Sequence, residues 1–130
     1  MNVPASLKYS KDHEWVKVES GNIAYVGITD YAAGELGELV YVEVETVGED
    51  LAKDDVFGTV EAVKTTSDLF MPVSGKILEF NPKLDESEGD EPTLINSDPY
   101  EAGWIVKIEM NDESELEALM DAEGYSAVIA

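Results

Sequence analysis

Cysteine is missing from this chain of 130 residues, and so is arginine. Without thiols there is no disulfide framework, thiolate nucleophile or thiolate metal site. Any sulfur redox chemistry would have to arrive on a cofactor. His13 is the only histidine, so no imidazole pair can build a metal centre, and it reads as structural. No apolar run approaches membrane-spanning length, and no charged-then-apolar leader opens the chain. A soluble, intracellular protein with no membrane partner is expected. Positive charge is also scarce: eight lysines face 29 carboxylates, a formal net charge of −21. Nucleic acid is disfavoured as a partner, because binding it needs clustered Lys and Arg. Nucleophile–base pairs and phosphate-cradling glycine loops are absent too, which argues against turnover by the isolated chain.

What is present is a succession of short strand patterns. The length fits one domain, residues 1–130, with a modest core. Strands are expected from about Glu14 to Val18 and from Ile23 to Ile28, joined by a tight turn at Ser20-Gly21-Asn22. Thr29 or Asp30 caps a short helix from Tyr31 to Leu36 that ends near Gly37. Residues Glu38 to Val44 alternate as a strand with Val40, Val42 and Val44 on one face. Val47 to Asp55 reads as a loop, Asn81 to Pro92 as an acidic surface loop with little to bury, and Leu94 to Tyr100 as irregular. In that last piece Asn96 and Asp98 suit local side-chain-to-backbone turns. Gly103 to Met110 is the last strand. Asp112 with Glu115 then caps a terminal helix carrying Leu116, Leu119 and Met120 on one face and ending at Gly124. Trp15 and Trp104 fall in strand patterns and read as core. The acidic run Asp85 to Glu91 lacks calcium-loop spacing and reads as solvated. Together these elements predict a mainly antiparallel β-barrel or sandwich.

One stretch organises the rest. Val56–Glu61 and Thr66–Met71 are strand-like, with a short turn between them that carries Lys64. Pro72 to Gly75 turns the chain into another strand, Lys76–Phe80. An amine on a flexible stem is thereby held at a hairpin tip, clear of other side chains and open to an acylating enzyme.

The residues Glu61-Ala62-Val63-Lys64, with Ser67-Asp68 and Pro72-Val73-Ser74-Gly75, resemble the lipoylation site of the H protein of the glycine cleavage system. Three further blocks resemble the same family, in its order: Tyr9 to Val16, Gly27 to Ala32 with Leu36 to Val42, and Asn96 to Tyr100 with Gly103 to Ile108. Four blocks in register over nearly the whole chain carry far more weight than one motif. Thr65-Thr66 stands where alanine is common in the family, and the loop from Asn81 to Pro92 is longer and more acidic than usual.

The resemblance implies a flattened antiparallel β-barrel/sandwich hybrid of the lipoyl/biotinyl type, with a short internal helix and a C-terminal helix. It implies a monomeric, non-catalytic carrier in a prokaryotic cytoplasm, with lipoic acid amide-linked to Lys64. The implied partners are a PLP-dependent glycine decarboxylase that loads an aminomethyl group and a tetrahydrofolate-dependent aminomethyltransferase that removes it. Dihydrolipoamide dehydrogenase, which reoxidises the arm, and a lipoylating enzyme complete the set. A loaded arm needs shelter from water and a carboxylate for its cationic amine. Glu14 and Asp68, with Ser67 beside them, match acidic and polar positions of the family motifs and are the candidates for that pocket. Each also reads as an ordinary solvated side chain. The alternatives are the lipoyl domain of another complex, a biotinyl domain, a lipoyl-relay protein, or an unmodified acidic binding module. Biotin sites normally carry methionines where Val63 and Thr65 stand here.

The acidity itself has two readings, steering toward basic partner surfaces or adaptation to a high-salt habitat. The second is favoured because the acids run along the whole chain. It expects stability against urea to rise from low to molar salt, and an indifferent midpoint would rule it out.

Overall fold

A computed structural model describes residues 3–130. Among these residues nine strands form two antiparallel sheets. The first contains β1 (Lys8–Tyr9), β2 (Glu14–Ser20), β3 (Ile23–Ile28), β5 (Asp50–Leu51), β8 (Gly75–Phe80) and β9 (Val106–Met110), in the order β1-β2-β3-β9-β8-β5. The second is β4 (Leu39–Glu43), β6 (Val56–Ala62) and β7 (Thr66–Phe70), in the order β4-β6-β7. Val26, Ile77, Val106 and Ile108 from the first sheet meet Leu39, Phe57, Val60 and Leu69 from the second in one fully buried cluster. The two sheets are open at their edges, so the architecture is the expected sandwich hybrid rather than a closed barrel.

Local chemistry explains the helices. Thr29 caps α1 (Asp30–Leu36), its hydroxyl accepting from Ala32 N–H, and Gly37 ends it at φ +86°, a conformation that favours glycine. A second short helix, α2, spans Leu94–Ser97. Asp112 caps a 3-10 turn over Glu113–Ala118, and Asp121 caps α3 (Ala122–Ile129). Close packing dictates Gly27, where a Cβ would fall 2.7 Å from the Trp15 indole. That indole is buried and donates from Nε1 to the carbonyls of Ile28 and Pro99, each at 3.0 Å.

Several expectations need correction. Val40 does not share a face with Val42: a register shift between Leu39 and Tyr41 breaks the alternation, leaving Val40 exposed and Val42 buried. The loop from Val47 to Asp55 contains β5, which adds an edge to the first sheet through β8. Residues 81–92 are not free of burial, since Leu84 enters the core and Asn81 donates to the Ala102 and Trp104 carbonyls. Leu94 to Tyr100 holds α2, and Asn96 bonds at long range instead of locally. Trp104 is only half-buried, edge-on to Tyr25. The terminal helix starts later than expected, with Gly124 inside it. Glu115 does not complete a capping box but accepts from both the backbone and the hydroxyl of Ser74.

Candidate functional site

Strands β6 and β7 pair in register from Val56↔Phe70 to Glu61↔Thr66, apart from a shift beside Gly58. Two residues, Val63 and Lys64, stand at their tip, both exposed. Ala62 N–H donates to the Thr65 carbonyl (2.7 Å), closing the tip, and Val63 N–H donates to the Glu38 carbonyl (3.1 Å). Asn96 braces the same region from beneath, donating to the Gly37 carbonyl (2.8 Å) and accepting from Leu39 N–H (3.0 Å). The root of Lys64 is therefore fixed by its backbone. Its stem leans over Gly37, where an added Cβ would lie 3.5 Å from Lys64 Cε.

Gly37 is the C-terminal end of α1, and α1 walls a groove of about 280 Å³. Tyr31, Ala32, Glu35 and Leu36 line it from the helix, while Ser67, Asp68 and Leu69 line it from β7, with Asp12, His13 and Glu14 at its far end. Seven helical residues rise about 10 Å, which sets the distance from the lysine's root to the Thr29 end of the wall. All three pocket candidates from the sequence, Glu14, Ser67 and Asp68, thus face one cavity.

Their environments differ. Asp68 is exposed and Ser67 half-buried, its hydroxyl donating to the Asp68 carbonyl. Glu14 is no surface acid; only 2% of it is exposed. It sits on the seam between the sheets. Oε1 accepts from the Ser10 hydroxyl (2.6 Å), and Oε2 accepts from Phe70 N–H (3.3 Å) on the outer edge of β7. Burial pushes its carboxyl up to about 8; the two hydrogen bonds oppose this, and the charges of Asp12 and Asp54 add to it. An acid poised this way can be neutral beside an empty groove and ionise when a cation enters.

The exposed lysine fits covalent attachment of a long acyl group, and the groove beside it, with Ala32, Leu36 and Leu69 along its length and acids at its far end, fits a chain ending in a cation. Over residues 7–130 the sequence matches the model of the glycine cleavage H-protein. The chain belongs to that family. It is 55% identical over 129 residues to a glycine cleavage system H protein of Staphylococcus saprophyticus, covering 99% of this chain and 98% of that one. A Bacteroides thetaiotaomicron protein of the same name is 54% identical with the same coverage. Among solved structures, a glycine cleavage system H protein from Mycobacterium marinum superposes with a TM-score of 0.83 at 35% identity, covering 98% of each chain. The family is one of lipoyl carriers in the glycine cleavage system, and that is the functional class of this chain.

The sequence pointed to the groove's acids but not to its wall. Tyr31, Ala32 and Leu36 read as residues of a short helix and Asn96 as a turn former, and although all four fall in blocks that resemble the family, none was given a place in the site. Nothing local marks them, because the partners of each come from distant segments.

Proposed function

We propose that Lys64 is the attachment point of lipoic acid and that this chain shuttles the resulting arm among the enzymes of glycine cleavage. The observation that carries this is the continuity of site and shelter: the stem of Lys64 crosses Gly37, and the groove begins along the same helix. When attached, the group supplies a ring disulfide that takes up a glycine-derived amine-bearing carbon and an electron pair.

The chain's own residues then have three tasks. Val63, Thr65 and their backbone bonds hold the attachment nitrogen outward, where an acylating enzyme reaches it. Leu36, Leu69 and Val60 offer an apolar lining that displaces water from an arm laid in the groove. Glu14 at the far end and Asp68 on the β7 wall present carboxylates to a cationic amine, with Ser67 as a polar neighbour. The catalysis itself belongs to the partners: a PLP-dependent decarboxylase, a tetrahydrofolate-dependent aminomethyltransferase and dihydrolipoamide dehydrogenase, with a lipoylating enzyme acting first. The chain works as a monomeric substrate shared by all four.

The test is the intact mass of protein isolated from its native host, followed by peptide mapping. A lipoyl adduct on Lys64 is expected. A biotin adduct, or an unmodified lysine in cells growing on glycine, overturns the reading.

A further inference from the structure

The C-terminal helix α3 contributes one residue, Tyr125, to the interior, and it is completely buried. Its ring stacks on Tyr9 with centroids 4.7 Å apart and planes 10° off parallel. Its hydroxyl lies 2.7 Å from Thr29 Oγ1 and 2.9 Å from His13 Nδ1. Those two contacts join two sides of the groove at its far end. Thr29 caps the wall helix α1, and His13 precedes Glu14 in a turn held at φ +69°, unusual for a residue with a Cβ. His13 also packs its ring 5.1 Å from that of Tyr31 on the wall and accepts at its carbonyl from Thr29 N–H (3.0 Å).

Proton counting gives the network a direction. Thr29 is fully buried, and its oxygen already accepts from Ala32 N–H at 3.1 Å. The hydroxyl proton of Thr29 needs an acceptor, and Tyr125 Oη supplies one. Tyr125 must then send its own proton to His13 Nδ1, which leaves the imidazole proton on Nε2. The opposite direction would strand the buried hydroxyl of Thr29.

We propose that Tyr125 is a positioning residue for the groove: its hydroxyl, accepting from Thr29 and donating to His13, locks the wall helix to the segment that carries Glu14. The C-terminal helix is on this view part of the carrier's shelter and not only of its scaffold. The inference rests on the groove being the resting place of the arm, but its geometry can be tested without the arm.

A single histidine makes the first measurement unambiguous. Long-range ¹H–¹⁵N spectra of the unmodified ¹⁵N-labelled protein at neutral pH should show the Nε2–H tautomer, with Nδ1 unprotonated. A predominant Nδ1–H tautomer overturns the proposal with no variant needed. Tyr125→Phe keeps the ring stack and removes the hydroxyl; it should release His13 into a mixture of tautomers and speed amide exchange at the start of α1. In the lipoylated protein loaded from glycine, it should shorten the lifetime of the loaded state about five-fold, the effect of one hydrogen bond. Tyr9→Phe is the control, since it also removes a buried tyrosine hydroxyl, one that donates to the Pro4 carbonyl away from the groove. It should leave both the tautomer and the lifetime as in the wild type. Equal shortening by the two variants would mean a merely structural role, and an unchanged tautomer in Tyr125→Phe would also sink the idea. If Lys64 takes no lipoyl group, the functional reading fails by itself, and the tautomer and amide exchange still decide the role of Tyr125.

Discussion

Replacing Lys64 by arginine is expected to reduce transfer of methylamine from glycine to background in a system reconstituted with the other components. The protein itself should stay folded. Arginine keeps a cation on a flexible stem of similar length, so the solvation and charge of the hairpin tip barely change. A guanidinium that stays protonated at every relevant pH cannot be acylated as an amine can. The side chain is exposed and the turn is closed by backbone bonds at Ala62 and Val63, so stability should move by no more than about 0.5 kcal/mol. Intact mass should show no adduct on the variant under conditions that modify the wild type. Transfer that continued undiminished would remove the basis of the carrier function at Lys64.

The second large effect concerns Glu14→Gln and its dependence on pH. The carboxyl rises from an ordinary 4.5 to about 8 in the folded protein, chiefly through burial. A folded-state value above the unfolded one means that the native protein holds a proton the unfolded chain gives up between those limits. The stabilising contribution is therefore complete below about pH 4.5 and is lost as pH rises toward 8 and through it. Each pH unit within that window removes about 1.4 kcal/mol, totalling on the order of 4–5 kcal/mol. Glutamine cannot titrate, so the variant escapes this loss. At pH 5 it should be less stable than the wild type by about 1 kcal/mol, because its one amide oxygen cannot accept from both Ser10 and Phe70 as the two carboxyl oxygens do. By pH 9 it should be the more stable protein. Urea unfolding of both proteins at pH 5, 7 and 9 measures the crossover, and parallel curves would refute a buried, proton-holding Glu14. The same substitution, paired with Asp68→Asn, should shorten the lifetime of the loaded carrier, since the groove then offers a cation fewer carboxylates.

These two residues also mark how far the sequence could be read. Lys64 was legible because its surroundings are local: alternating strands on either side and turn residues after them need no distant partner to bring an amine to a hairpin tip. The strands β2, β3 and β8 and the helix α1 were legible for the same reason, through period, caps and glycines. Glu14, in contrast, read equally well as a solvated acid. Its burial arises where β2 meets the edge of β7, 56 residues away, and no pattern around position 14 announces that seam. The end of the chain failed similarly. A glycine usually stops a helix, but Gly124 lies in the first turn of α3, where Asp121 accepts its N–H. The local signal there was real and pointed to the wrong end of the helix.

What the sequence determined by itself was a β-rich fold with a lysine at a hairpin tip, since hydrophobic period and turn chemistry are properties of neighbouring residues; the carrier role came from the family resemblance. What only the tertiary structure decided was the shelter: which acid is buried, which helix forms the wall, and which distant tyrosine braces it. Those depend on hydrogen bonds and desolvation between segments up to 112 residues apart. Such couplings exist only once the sheets have packed and water has left the seam between them.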